Sequence, residues 1–203
     1  DAAAARYGAC AGLPRMVSLC DEVRETAKAS ADRALASVAD EAAAGMGRFL
    51  EEIARGHGLK EADEDNQGKL LETAPGAIPA SLAALDKALA EAAATAGSTP
   101  EGADLRLAYA RVSQFGSDLM AILKPDSSAV ARWIAWPSSG PELRAAPLDA
   151  GRRLAEGLFS RGVPAILTSA TLSSGDGLKD FKARVGLSEA RELEKVLSPA
   201  SKP

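Results

Sequence analysis

Six apolar residues, Leu105, Ala108, Val112, Phe115, Leu119 and Ile122, recur at steps of three, four, three, four and three. A helix gathers that spacing into one stripe, and a strand cannot. The stripe is a coiled-coil-like seam, so it requires a second helix lying against it at a shallow crossing angle. Thr99 stands as N-cap with Pro100 at the first helical position and Glu101 behind it, and Lys124-Pro125 ends the run. The nearest partner runs from Pro79 to about Ala96, with Leu82, Leu85 and Leu89 inward and Gly97 as the stop. Only three residues join the two, which predicts an antiparallel helical hairpin.

The rest of residues 1–125 also reads as helical. Met16 to Ile53 is rich in Ala, Leu, Glu and Arg, residues that give up little entropy in a helix. Pro14 fits a first turn, and Leu35, Val38, Ala42, Phe49 and Ile53 form one stripe. Gly45 and Gly47 predict a kink or break inside this run, and Gly56 and Gly58 its end. From Lys60 to Ile78 the pattern dissolves into the acidic turn formers 63–68 and Pro75-Gly76, an exposed connection with Lys69-Leu70-Leu71-Glu72 as a short ordered piece.

After Pro125 the character changes. Val130 to Trp136 is short, β-branched and aromatic and closes on Pro137-Ser138-Ser139-Gly140, which predicts a strand and turn. Leu143 to Ala146 reads as a second strand, Leu148 to Ser160 as a helix, and Ala165-Ile166-Leu167-Thr168 as a buried parallel strand. The expected fold is therefore mainly α with a smaller α/β part, divided into a helical domain over 1–126 and an α/β segment over 127–203.

Composition narrows the functional classes. No stretch approaches the roughly 18 apolar residues of a membrane span, and no basic region precedes an apolar leader, so a cytoplasmic protein without a membrane partner is expected. The chain opens at Asp1 inside an alanine run, which reads as the interior of a longer protein. Residues 1–125 carry 13 basic against 19 acidic side chains and residues 126–203 carry 11 against 9. Any contact with nucleic acid must then be local, because phosphates reward clustered cations. Cys10 and Cys20 lack the spacing of a redox or zinc motif, and the single histidine, His57, sits in a turn without an acid or nucleophile beside it. No metal site is expected.

Chemistry is most legible at Ala165 to Ser174. A buried strand running straight into small hydroxyl residues puts Ser169 and Thr171 at the carboxyl edge of a sheet, where α/β folds bind ligands, and hydroxyls both donate and accept. Arg132, Arg144, Arg152, Arg153 and Arg161 add local positive charge, and guanidinium groups suit phosphates. Trp133 and Trp136 fall on opposite faces of their strand, so at most one can stack on a base. Arg132, Arg144 and Trp133 are the candidate DNA contacts.

Thr168-Ser169-Ala170-Thr171-Leu172, preceded by Leu143 to Asp149 and followed by Asp180-Phe181-Lys182-Ala183-Arg184-Val185-Gly186-Leu187, resembles the DinG branch of the XPD/DinG superfamily 2 DNA helicases. Ser198-Pro199 is similar to the start of a later family segment, although Ala200 stands where that segment has an aromatic residue. The resemblance implies that Ser169, Ala170, Thr171 and Leu172 are helicase motif III, which couples nucleotide state to DNA engagement. It also implies that residues 1–126 are the helical Arch domain and 127–203 a partial RecA-like segment. The parent would then use ATP and Mg²⁺ to translocate on single-stranded or forked DNA, working with its remaining helicase domains.

The chain contains no Gly-x-x-x-x-Gly-Lys-Ser/Thr phosphate loop and no Asp-Glu-Ala-His box. On its own it is therefore expected to bind neither ATP nor Mg²⁺ and to be inactive. Two cysteines do not match the four that ligate the iron–sulfur cluster of some family members. An alternative reading makes the chain a stand-alone helical interaction module that docks a partner on the Leu105 to Ile122 seam. A third, a small α/β ligand-binding protein, requires strands the sequence does not supply.

Overall fold

The computed structural model describes residues 8–61, 68–124, 130–161, 166–167 and 178–187. The chain is mainly α with a smaller part built from strands, and it divides into two compact units, 1–148 and 149–203.

In the larger unit, β1 (Ala9–Gly12) leads directly into α1 (Leu13–Ala29), whose Pro14 occupies the first turn. A tight turn follows, in which Ala31 takes a left-handed φ of 55° and the Asp32 carboxylate accepts the Leu35 amide to start α2 (Arg33–Gly56). The break expected at Gly45 and Gly47 falls here instead. α2 runs unbroken through both glycines, and at Gly45 helix packing requires the small residue. A Cβ on Gly45 would collide with the Ser81 hydroxyl of α3 (Ala80–Thr95). Thr99 caps α4 (Pro100–Leu123) as the sequence predicts, its hydroxyl accepting the Gly102 amide at 3.0 Å.

Each helix packs on the next, α1 on α2, α2 on α3 and α3 on α4, and α4 returns to α1. This closed ring buries the whole seam. Val112, Phe115, Leu119 and Ile122 are at most 1% exposed, facing Met16, Val23, Met46, Leu50, Leu85 and Leu89 in one core. The seam is filled from within the chain.

Four strands close one side of the core. β3 (Val130–Ala135) and β4 (Glu142–Pro147) form a hairpin through a turn in which the Gly140 amide donates to Pro137 O. β1 pairs with β4 and the two-residue β2 (Lys69–Leu70) with β3, giving the order β1-β4-β3-β2, antiparallel throughout. Alternation along the strands sends Ala11, Leu143 and Ile134 into the core and turns Cys10, Arg144, Trp133 and Leu70 to the other face.

Two expectations are corrected. Residues 1–125 are not wholly helical, since β1 lies among them, too short and too rich in Ala to give a period-two signal. The hairpin 130–147 belongs to the helical unit rather than to the C-terminal segment. Its pairing partners β1 and β2 come from the N-terminal part, and its inward residues complete that core, so the boundary lies after Leu148 instead of at 126/127.

In the second unit the Asp149 carboxylate accepts the Arg152 amide and starts α5 (Ala150–Gly157), which runs on into a 3-10 turn at Phe159–Arg161. α6 (Lys179–Val185) ends in a left-handed Gly186, where the Leu187 amide donates back to Lys182 O. The parallel strand expected at 165–168 is not seen at its two described residues. Ile166 and Leu167 have no regular structure and are 90% and 42% exposed. A parallel strand is buried only between paired neighbours, and among the described residues this unit contains no other strand.

Candidate nucleic-acid interface

The candidate residues divide into three groups. Ser169, Ala170, Thr171 and Leu172 lie outside the described residues, as does the acidic run 63–67. Their flanking elements are described. α5 and α6 pack together, and the approach is closest where Gly151 meets Gly186. A Cβ on either glycine would strike backbone, Arg184 O from Gly151 and the Gly151 carbonyl from Gly186. Glycine is required at both, and at Gly186 a φ of 74° demands it independently.

Arg132 is the second case, and there the structure shows a role within the fold. Its side chain runs on the inner side of β3, and Nη1 donates to Ile122 O at 3.1 Å and to Leu123 O at 3.3 Å. The guanidinium thus satisfies carbonyls of the last turn of α4 that have no helical partner, at the negative end of the helix dipole. Spacing alone could not show this, because the carbonyls that hold Arg132 come from a different element.

Arg144 and Trp133 form the third group. The pairing register sets them directly opposite one another on the outer face, in a row that reads Cys10, Arg144, Trp133, Leu70 across all four strands. Arg144 is ion-paired with Glu142 two residues back on the same face, its side chain 46% exposed against 16% for the carboxylate. Trp133 is half-buried, and a Cβ at Gly68, where φ is 74°, would come within 3.0 Å of its Cδ1. Leu70 is 67% exposed. Partial burial and the neighbouring Glu142 raise the Cys10 thiol above its ordinary pKa, so it stays protonated and uncharged at neutral pH.

The other tryptophan serves the core. Trp136 is 4% exposed, and the Arg55 guanidinium lies 5.6 Å from its ring centroid. Arg15 does similar work at the opposite edge of the sheet. It stands over Phe115 at 5.3 Å and donates to Cys10 O and to Asp118, tying β1 and α1 to α4. Arg152 lies near Glu156, at 3.9 Å.

His57 donates or accepts only at its own helix end, with Nδ1 2.8 Å from Ile53 O. Among the described residues no group of three or more His, Cys, Asp or Glu could hold a metal ion, and no helix is long and apolar enough to cross a membrane. No family model and no curated protein matches this chain.

Proposed function

We propose that the chain is part of an ATP-dependent DNA helicase of the DinG type, with the four-helix unit that ends at Leu148 as an Arch-like region and the segment around Ser169 to Leu172 as motif III. The observation that carries the reading is the ordered set Leu143 to Asp149, Thr168 to Leu172 and Asp180 to Leu187. Support comes from how its outer members fold. The first ends β4 and delivers Asp149 as the cap of α5, the second lies between α5 and α6, and the third is α6 itself. The glycine contact between α5 and α6 brings together the two elements that flank, in sequence, the stretch containing Ser169 and Thr171. ATP, Mg²⁺ and the phosphate loop would come from the rest of the parent, in the cytoplasm, with single-stranded or forked DNA as partner. The isolated chain would not turn over ATP.

The test is ATP hydrolysis and strand separation by the complete product of the source gene, with and without single-stranded DNA, against a Ser169→Ala/Thr171→Ala version. Hydrolysis stimulated by DNA, with unwinding lost at least about tenfold more than hydrolysis in the double variant, is the expected result. A complete product without DNA-dependent hydrolysis would refute the reading.

A further inference from the structure

We propose that the outer face of the β1-β4-β3-β2 sheet is a stacking platform for a base of single-stranded nucleic acid, with Trp133 supplying the ring and Arg144 the phosphate contact. The inference rests on the helicase reading only for the class of ligand, and its own ground is the composition of the face. Cross-strand partners stand about 5 Å apart, so the indole and the guanidinium are neighbours by register rather than by chance side-chain reach.

Around Trp133 the outward positions are small. Ala131 and Ala135 flank it on β3, and Ala146 lies near it on β4. On the far side Leu70 is its register partner, and a side chain at position 68 would crowd the ring edge, so Gly68 leaves room for it. A partly exposed aromatic among Ala and Gly neighbours has few bulky side chains competing for its face.

An exposed guanidinium suits an anionic group. Arg144 is the one cation among the strand residues of this face, its side chain more exposed than that of Glu142 with which it pairs, and the Cys10 thiol is uncharged. A ligand that is planar, apolar on its faces and tied to an anion matches this pair, and a nucleotide in an unpaired strand has all three properties. A duplex does not, because its bases are already stacked.

The experiment is a titration of fluorescein-labelled oligothymidylate with the 203-residue chain at low salt, read by anisotropy, with far-ultraviolet circular dichroism as the check on folding. Trp133→Leu keeps an apolar side chain in the sheet and should weaken binding by roughly 5- to 150-fold. Arg144→Ala should weaken it as well, and lower the slope of log affinity against log salt by about 0.7, the value for one phosphate contact on a single strand. Duplex of equal length should bind more weakly than the single strand.

A measurement that needs no variant is photocrosslinking with 5-iodouracil oligonucleotides, which should map to Trp133. Failure to bind at low salt, affinity unchanged in Trp133→Leu, or a crosslink that maps elsewhere would each overturn the platform. None of these outcomes bears on DNA-dependent ATP hydrolysis by the complete gene product, so the two readings fail separately.

Discussion

Replacing Arg132 tests whether the structure or the residue type decides what an arginine near the proposed nucleic-acid site does. In the fold its guanidinium donates to Ile122 O and Leu123 O at 3.1 and 3.3 Å, and the site is partly buried. A hydrogen bond to a charged group contributes about 1.5 to 3 kcal/mol, the longer of these two less, and a cation at a helix C-terminus about 0.3 to 1 kcal/mol more. Arg132→Ala should then destabilise the larger unit by about 2 kcal/mol, or about 4 to 8 °C in its melting temperature. Arg132→Lys should recover about half, since one ammonium reaches the carbonyls without the planar fork. Urea unfolding followed by helical circular dichroism gives the free energy, and the oligothymidylate titration run beside it should show affinity within twofold of the parent chain. A loss of stability below about 0.5 kcal/mol together with a collapse of DNA affinity would refute the capping role and return Arg132 to the interface.

Two further outcomes follow from the core. Phe115 is fully buried in the middle of the seam, so Phe115→Ala should cost about 3 to 5 kcal/mol in urea unfolding, and a cost under about 1 kcal/mol would mean that the seam is not packed as described. Burial raises the Cys20 thiol from 9.0 to about 11, with nearby Asp40 adding to the rise. Since the folded state holds this proton more tightly than the unfolded chain, the contribution is complete below pH 9 and is lost as pH rises toward 11, by about 2 kcal/mol at pH 11. Cys20→Ala should remove that part of the alkaline slope, and an identical slope in both proteins would show that Cys20 does not titrate this way.

The helical part was legible because its signals are local. Thr99-Pro100 and the 105–122 stripe specify α4 without reference to anything distant, and Leu82, Leu85 and Leu89 do the same for α3. The α1–α2 break was misplaced for the opposite reason. Glycine inside a helix normally marks weakness, yet Gly45 is held by its contact with Ser81, a residue of another helix. β1 was missed because four residues of Ala, Cys, Ala and Gly acquire strand character only by pairing with Leu143, Arg144 and their neighbours, more than a hundred positions away.

For the candidate interface the division is similar. Sequence alone determined a mainly helical chain, strands within 130–136 and 143–146, and the presence of a Trp and two Arg on them. Tertiary structure alone decided which arginine is structural and which is presented. Arg132 and Arg144 have the same chemistry and lie in adjacent strands, but strand parity points one toward the carbonyl end of α4 and the other outward beside Trp133. A side chain's role depends on the groups it meets, and those groups are brought to it by register and packing that no local pattern encodes.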